Sequence, residues 1–218
     1  MVPAQLAVFA LLVAGCCPSA RTPAALPSRA ASRADLQRSS REVDGFRRLR
    51  EQHDVVLELS VGNGVRRERA TGLLAVERPG KLRLVALGPA GVKLFDLRVV
   101  RDRVEVLAVI GSAAQRDRLR AVLQIVARDL QALYRIGPFR IGGRLEPSLW
   151  ADQRGVVASA RVDGLSMRYA RYDAAGKLRR PRWMQMRREG RYVVTISVRR
   201  VEVDPELDRR LFDARDDG

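Results

Sequence analysis

The chain has 218 residues but only one histidine, His53, and only two cysteines, Cys16 and Cys17, which are adjacent. These are too few parts for a disulfide framework, a thiolate metal site, a His-rich metal site or a Cys–His pair. No nucleophile–base pair can be assembled either, so the sequence points away from an enzyme and calls for no metal and no cofactor. Aromatic residues make up 5%. No apolar run approaches the roughly twenty residues that a membrane-spanning helix needs. What is present has a globular balance, with 46% hydrophobic and 30% charged residues, which excludes disorder over the whole length. The length corresponds to about one to one-and-a-half domains. Lys and Arg number 41 against 25 acidic residues, a formal charge of +16.

The N-terminus sets the compartment. Residues 4–14 are apolar apart from Gln5, the length of a signal-peptide core. Val13-Ala14-Gly15-Cys16 follows at once. Small residues before a cysteine at the end of such a core resemble the lipobox of bacterial lipoproteins, in which the cysteine becomes the lipidated first residue. By that resemblance residues 1–15 are a signal peptide and Cys16 is the lipidation site. The next residue, Cys17, is not Asp, which favours the outer membrane and its periplasmic face. Several acyl chains together make a stable anchor where one would hold only marginally. This placement excludes nucleic acid, which the basic charge would otherwise raise first. The basic residues alternate with apolar ones along the chain instead of forming a block. They read as a solvated surface or as an attraction to anionic lipid headgroups.

Residues 16–35, rich in Ala, Pro, Ser and Arg, read as the lipidated cysteine and a flexible tether. The folded body is expected over 36–212, and 213–218 as a frayed terminus. Leu36, Val43, Phe46 and Leu49 sit at helical spacings and predict a first helix ending near Arg50. Its end would leave His53 exposed to solvent. Strand alternation follows through Val55, Leu57, Leu59 and Val61, then Gly72, Leu74 and Val76, whose parity continues to Arg78. Leu82, Leu84 and Ala86 carry the third strand, Phe95, Leu97 and Val99 the fourth, and Val104, Val106 and Ala108 the fifth. One clear helix interrupts the strands. Ser112-Ala113-Ala114-Gln115 fits a capping box, and Leu119, Val122, Leu123, Val126, Leu130 and Leu133 form a one-sided stripe that Gly137-Pro138 ends. Four further strands fall within 156–162, 165–173, 182–188 and 192–203. About nine strands must curl or close.

Phe46, the run from Gly72 through Arg78-Pro79-Gly80, and the Pro89-Ala90-Gly91 hairpin tip are similar to the LolA/LolB-like periplasmic lipoprotein-carrier family, nearest its LolB branch. So are the Tyr169-x-x-Tyr172 pair and the closing strands around Glu189-Gly190. The resemblance spans about residues 36–205. It implies a mainly β (α+β) fold, an incomplete antiparallel β-barrel or strongly curved sheet with an amphipathic lid helix and an N-terminal helix. It also implies partners: acyl chains of lipoproteins or another lipid, a membrane, and a periplasmic carrier protein. Arg78 matches the family's Arg before Pro, which bonds to the lid; read from this sequence alone, it could equally end a strand and snorkel outward. Ala90 matches the exposed apolar tip residue that helps push lipid into the membrane, and here it is small. Leu57, Leu59, Leu74, Val76, Leu82, Leu84, Phe95 and Leu97 would line the cavity, under a lid made by Leu119, Val122, Leu123, Val126 and Leu130. The same residues could instead form a filled core in a structural or assembly lipoprotein of the envelope. Met184 and Met186 share one face, where flexible thioethers suit either a variable ligand or a packed interior.

Overall fold

A computed structural model describes residue 23 and residues 28–43, 45–61, 64–101, 103–136 and 148–213. In chain order the elements are β1 (Arg29–Ala30), α1 (Arg33–Val43), β2 (Arg48–Val61), β3 (Gly64–Glu77), β4 (Lys81–Leu87), β5 (Lys93–Val100), β6 (Arg103–Val109), α2 (Ala113–Ile136), β7 (Ser148–Ala151), β8 (Val157–Val162), β9 (Leu165–Ala175), β10 (Leu178–Arg188) and β11 (Tyr192–Val203). The strands make one antiparallel sheet in the order β1-β7-β8-β9-β10-β11-β2-β3-β4-β5-β6. β6 and β1 remain as edges, so the sheet is not closed. Its concave face carries the main core, from Leu49 on β2 through Leu97 on β5 to Val194 on β11, with α2 packed into it.

The mainly β, incompletely closed architecture agrees with the sequence expectation, with four local differences. The first helix stops at Val43, and Leu49 already belongs to β2. The reason lies in the pattern: Leu49, Glu51, His53, Val55 and Leu57 are buried while the residues between them are not, a period of two that only a strand buries on one face. His53 is therefore not exposed at a helix end but 1% exposed in the middle of β2. Part of the expected tether belongs to the fold: Arg29 and Ala30 pair with Ala151 and Trp150 of β7. Ser32 and Asp35 then cap α1: the Asp35 carboxylate accepts from Ser32 N–H at 2.8 Å, and the Ser32 hydroxyl accepts from Asp35 N–H at 3.3 Å. Bonds from the Arg29 guanidinium and from Ser32 hold that carboxyl well below the usual range. Finally, a bulge in the β5–β6 ladder shifts the parity of β6, so Val109 and not Ala108 joins the core beside Val104 and Val106.

Both ends of the body are fastened. α1 lies against β10 and β8 through Leu36, Val43, Val156 and Val157. After β11, Asp204 accepts from the N–H groups of Arg47 and Arg48, both at 2.8 Å. The chain then crosses the outer face, where Arg83 donates to the Leu211 carbonyl at 3.2 Å and Phe212 is buried.

Candidate functional site

The concave face and α2 enclose one apolar chamber. Alternation on β2, β3 and β4 points Leu57, Leu74, Val76, Leu82 and Leu84 inward, and each is at least nine-tenths buried; Leu97 is fully covered and Phe95 half-covered. Of the sequence-predicted lining residues, Leu57, Leu74, Leu84 and Phe95 border the remaining space, while Val76, Leu82 and Leu97 pack further into the core. The side chain of Leu59 lies outside the described residues. From the helix, Leu123, Val126 and Leu130 enter the chamber, and Leu119 and Val122 pack half-buried beside them. Val55, Val194, Ile196 and His53 complete the lining. None of those four is among the lining residues that the sequence predicts.

The space left is about 20 Å³, enough for roughly one water-sized sphere. A lipid-sized ligand needs several hundred Å³. With α2 seated, the chamber is therefore filled, and most of the filling is done by the helix stripe. A larger hollow of about 420 Å³ lies on the other side of the sheet, over β8, β9 and β10 beside Pro23 and Ser28. Its lining mixes Trp150, Met167, Tyr169 and Trp183 with Arg161, Arg168, Ser159 and Ser166, and among the described residues α2 does not reach it.

Beside the chamber, one inward position before His53, the core holds charge. Glu51, fully buried, accepts from Arg180 at 3.0 Å, and Arg180 also donates to the carbonyl of Val43 at the end of α1 at 3.1 Å. The Phe46 ring lies between two guanidiniums, Arg78 at 4.0 Å and Arg180 at 5.2 Å from its centroid. Arg78 thus keeps the inward parity that its alternation predicts and stacks on an aromatic face.

The helix is tied to the sheet by a group that the sequence reading passed over. Asp129 lies on the covered side of α2, three residues past Val126. It accepts from Arg188 Nε at 3.0 Å and Nη2 at 2.7 Å, and from the Tyr192 hydroxyl. Arg188 Nη1 donates to the Asp163 carbonyl at 3.0 Å, which holds the guanidinium fork in place. Burial and the Asp129 carboxylate together push the Tyr192 phenol far above its ordinary value. The available signal was a lone carboxylate inside an otherwise apolar helical stripe.

Ala90 sits at the exposed tip of the β4–β5 hairpin with φ of 57°. Val92 and Ile110, each 49% exposed, lie near the same end of the sheet, where Ile110 N–H donates to the Leu94 carbonyl at 2.9 Å. Cys16 lies outside the described residues. Among the described residues there is no cluster of metal-ligating side chains and no helix long and apolar enough to cross a membrane.

The fold has a solved counterpart. A LolA superfamily protein from Nitrosomonas europaea superposes with a TM-score of 0.51 at 11% identity, over 85% of this chain and 99% of that one. The chain has a diverged LolA-type fold. A DUF1329 family protein from Desulfovibrio piger aligns at 14% identity and a TM-score of 0.44, over 85% and 98% of the two chains. A Vibrio parahaemolyticus domain assigned to outer membrane lipoprotein sorting aligns at 10% identity with the same score, over 81% and 94%. No family model and no curated protein matches the sequence.

Proposed function

We propose that this LolA-type chain is a non-enzymatic acyl-chain-binding lipoprotein of the bacterial envelope. In this reading Cys16 anchors it at the periplasmic face of the outer membrane, and the chamber receives acyl chains of lipoproteins, delivered by a periplasmic carrier, or another lipid. The observation that carries the reading is that, among the described residues, one amphipathic helix held by one polar cluster covers the chamber's apolar lining. Lifting the helix exposes Leu123, Val126 and Leu130 together with the sheet residues beneath them. Arg78 and the Arg180–Glu51 pair hold charge beside the chamber. Pro89, Ala90, Val92 and Ile110 form an exposed apolar tip, so the small Ala90 is not the only apolar group offered to a membrane there.

The test is native mass spectrometry of the chain from Cys17 onward in detergent-free buffer, before and after adding lipid. A lipid-bearing mass, copurified or acquired, is the expected result; the bare polypeptide mass throughout would refute carriage. A second reading has an observation of its own, since the 20 Å³ residual space also suits a structural or assembly lipoprotein with a permanently filled core. That reading requires the bare mass under every condition.

A further inference from the structure

Among the described residues, His53 is the one polar residue that lines the remaining space in the chamber. Its side chain is 1% exposed, and among the described residues neither Nδ1 nor Nε2 has a hydrogen-bond partner. The ring lies against the backbone of its cross-strand partner Gly72, where a Cβ would stand 2.3 Å from the imidazole Cδ2. A glycine in the middle of a strand marks such a close approach. The neighbouring charges are already engaged: Glu51 with Arg180 at 3.0 Å, and Asp54 with Arg199 at 2.6 Å. Burial lowers the imidazole's proton affinity, against the pull of the Glu51 and Asp54 carboxylates, so at neutral pH the ring has one N–H donor and one bare acceptor. Leaving either unmet in an apolar interior is unfavourable, and a leucine would fill the same place without that cost. A water in the residual space would find the imidazole as the only polar side chain in its lining among the described residues, whereas buried waters ordinarily make about three hydrogen bonds.

We infer that His53 is a ligand-positioning residue that receives the oxygen-bearing end of an acyl group, its ring N–H donating to a carbonyl or carboxyl oxygen. This deepens the carrier reading and rests on it. The chain's methylenes would run from His53 over Val55 and Leu57, in the place that Leu123 and Val126 occupy when the helix is seated. His53 stands one inward position from Glu51, so the polar end of a ligand would lie on the side of the chamber nearest the buried ion pair. The required chemistry is an acyl oxygen, which an ester-linked lipid or a free fatty acid could each supply.

Because His53 is the only histidine, its ring gives the only imidazole ¹⁵N signals of a tag-free chain from Cys17 onward. Hexadecane, methyl palmitate and palmitic acid are titrated into that protein and into His53→Leu and His53→Gln. The expected result is a ring ¹⁵N shift with the oxygenated ligands and none with hexadecane. In His53→Leu the preference for methyl palmitate over hexadecane should fall about tenfold, with hexadecane bound as well as before, and His53→Gln should restore part of it. The stronger ring response, to ester or to acid, identifies which source fits. Methyl palmitate binding with no ring shift, or an unchanged preference in His53→Leu, would overturn the assignment while leaving carriage intact. Failure of all three ligands to bind would overturn both. The wild-type ring signal needs no variant to fold.

Discussion

Asp129→Asn should loosen the α2 cover while leaving the sheet intact. The substitution keeps the side chain's size but removes the charge that the Arg188 fork engages at 3.0 and 2.7 Å and that the Tyr192 hydroxyl also meets. Breaking a buried ion pair by removing one partner costs about 3–5 kcal/mol. Arg188 is 23% exposed and keeps its bond to Asp163, so part of its charge can be resolvated, and an Asn oxygen can still accept from Tyr192. A net cost of about 2–3 kcal/mol remains. If that cost falls on the helix–sheet contact alone, it is a 30- to 150-fold increase in the open population, taking about 1.4 kcal/mol per factor of ten. Hydrogen exchange followed residue by residue would show it as faster exchange of the α2 amides over residues 119–130, with β9–β11 unchanged. Unchanged α2 protection would mean that Asp129 does not hold the helix. An equal loss of protection on every strand would mean that helix and sheet unfold as a unit, and either result would refute a separately removable cover. Tyr192→Phe should give the same pattern more weakly, by about 1 kcal/mol. The two changes should not add, because they share one acceptor.

Two further outcomes follow from the same geometry. Cys16→Ala should move the protein from the membrane fraction to the soluble one, and unchanged fractionation would refute the anchor. His53 titrates below its ordinary 6.5 in the fold because burial disfavours the charged ring, so as pH falls the unfolded chain takes the proton first. The stability held by the neutral ring is complete above about pH 6.5 and is lost below it. Denaturant midpoints should therefore drop between pH 7 and 5 in the wild type and stay nearly flat in His53→Leu, since Asp35, Glu77 and Asp96, held low in the fold, lose their stabilising effect only as pH falls through their ordinary values of 3.8 to 4.5. Equal slopes in the two proteins would remove His53 as the cause.

What could be read from the sequence was set by how regular each local pattern is. The hairpins from β2 to β5 and the α2 stripe announce themselves, because one-sided burial imposes strict periods of 2 and 3.6. The end of the first helix was misplaced because Val43, Phe46 and Leu49 satisfy helical spacing as well as the approach to a strand. Only Glu51 and His53 separate the two readings, and a polar residue at an inward position looks like an outward one until its partner is known. Arg180, the partner of Glu51, lies 129 residues away, beyond any local pattern. β1 and β7 escaped notice because strands of two and four residues carry too little alternation to stand out. The same limit applied to the polar parts of the site. Asp129, Arg188 and Tyr192 come from two distant stretches of chain, and only the lone acid in the α2 stripe was visible beforehand.

The filled chamber fits carriage on energetic grounds. Exposing the apolar stripe of α2, from Leu119 to Leu130, costs on the order of 10 kcal/mol at roughly 1.5–3 kcal/mol per fully buried side chain, discounted for those half-covered. Leaving a sixteen-carbon chain in water costs a similar amount, at about 0.8 kcal/mol per methylene. Exchanging the helix for the chain is then close to balanced on the sheet's side, provided the displaced stripe finds another apolar surface, such as the rest of the acyl ligand or a membrane. An empty cavity would bind an acyl chain more tightly but would hold apolar surface open to water between loads. A helix that seals the chamber removes that liability. In the proposed carriage the smaller terms would set the direction of exchange: the Asp129–Arg188–Tyr192 cluster favours the seated helix, and an acyl oxygen on His53 would favour the ligand. Release at a membrane needs the first to outweigh the second once the chain has somewhere else to go.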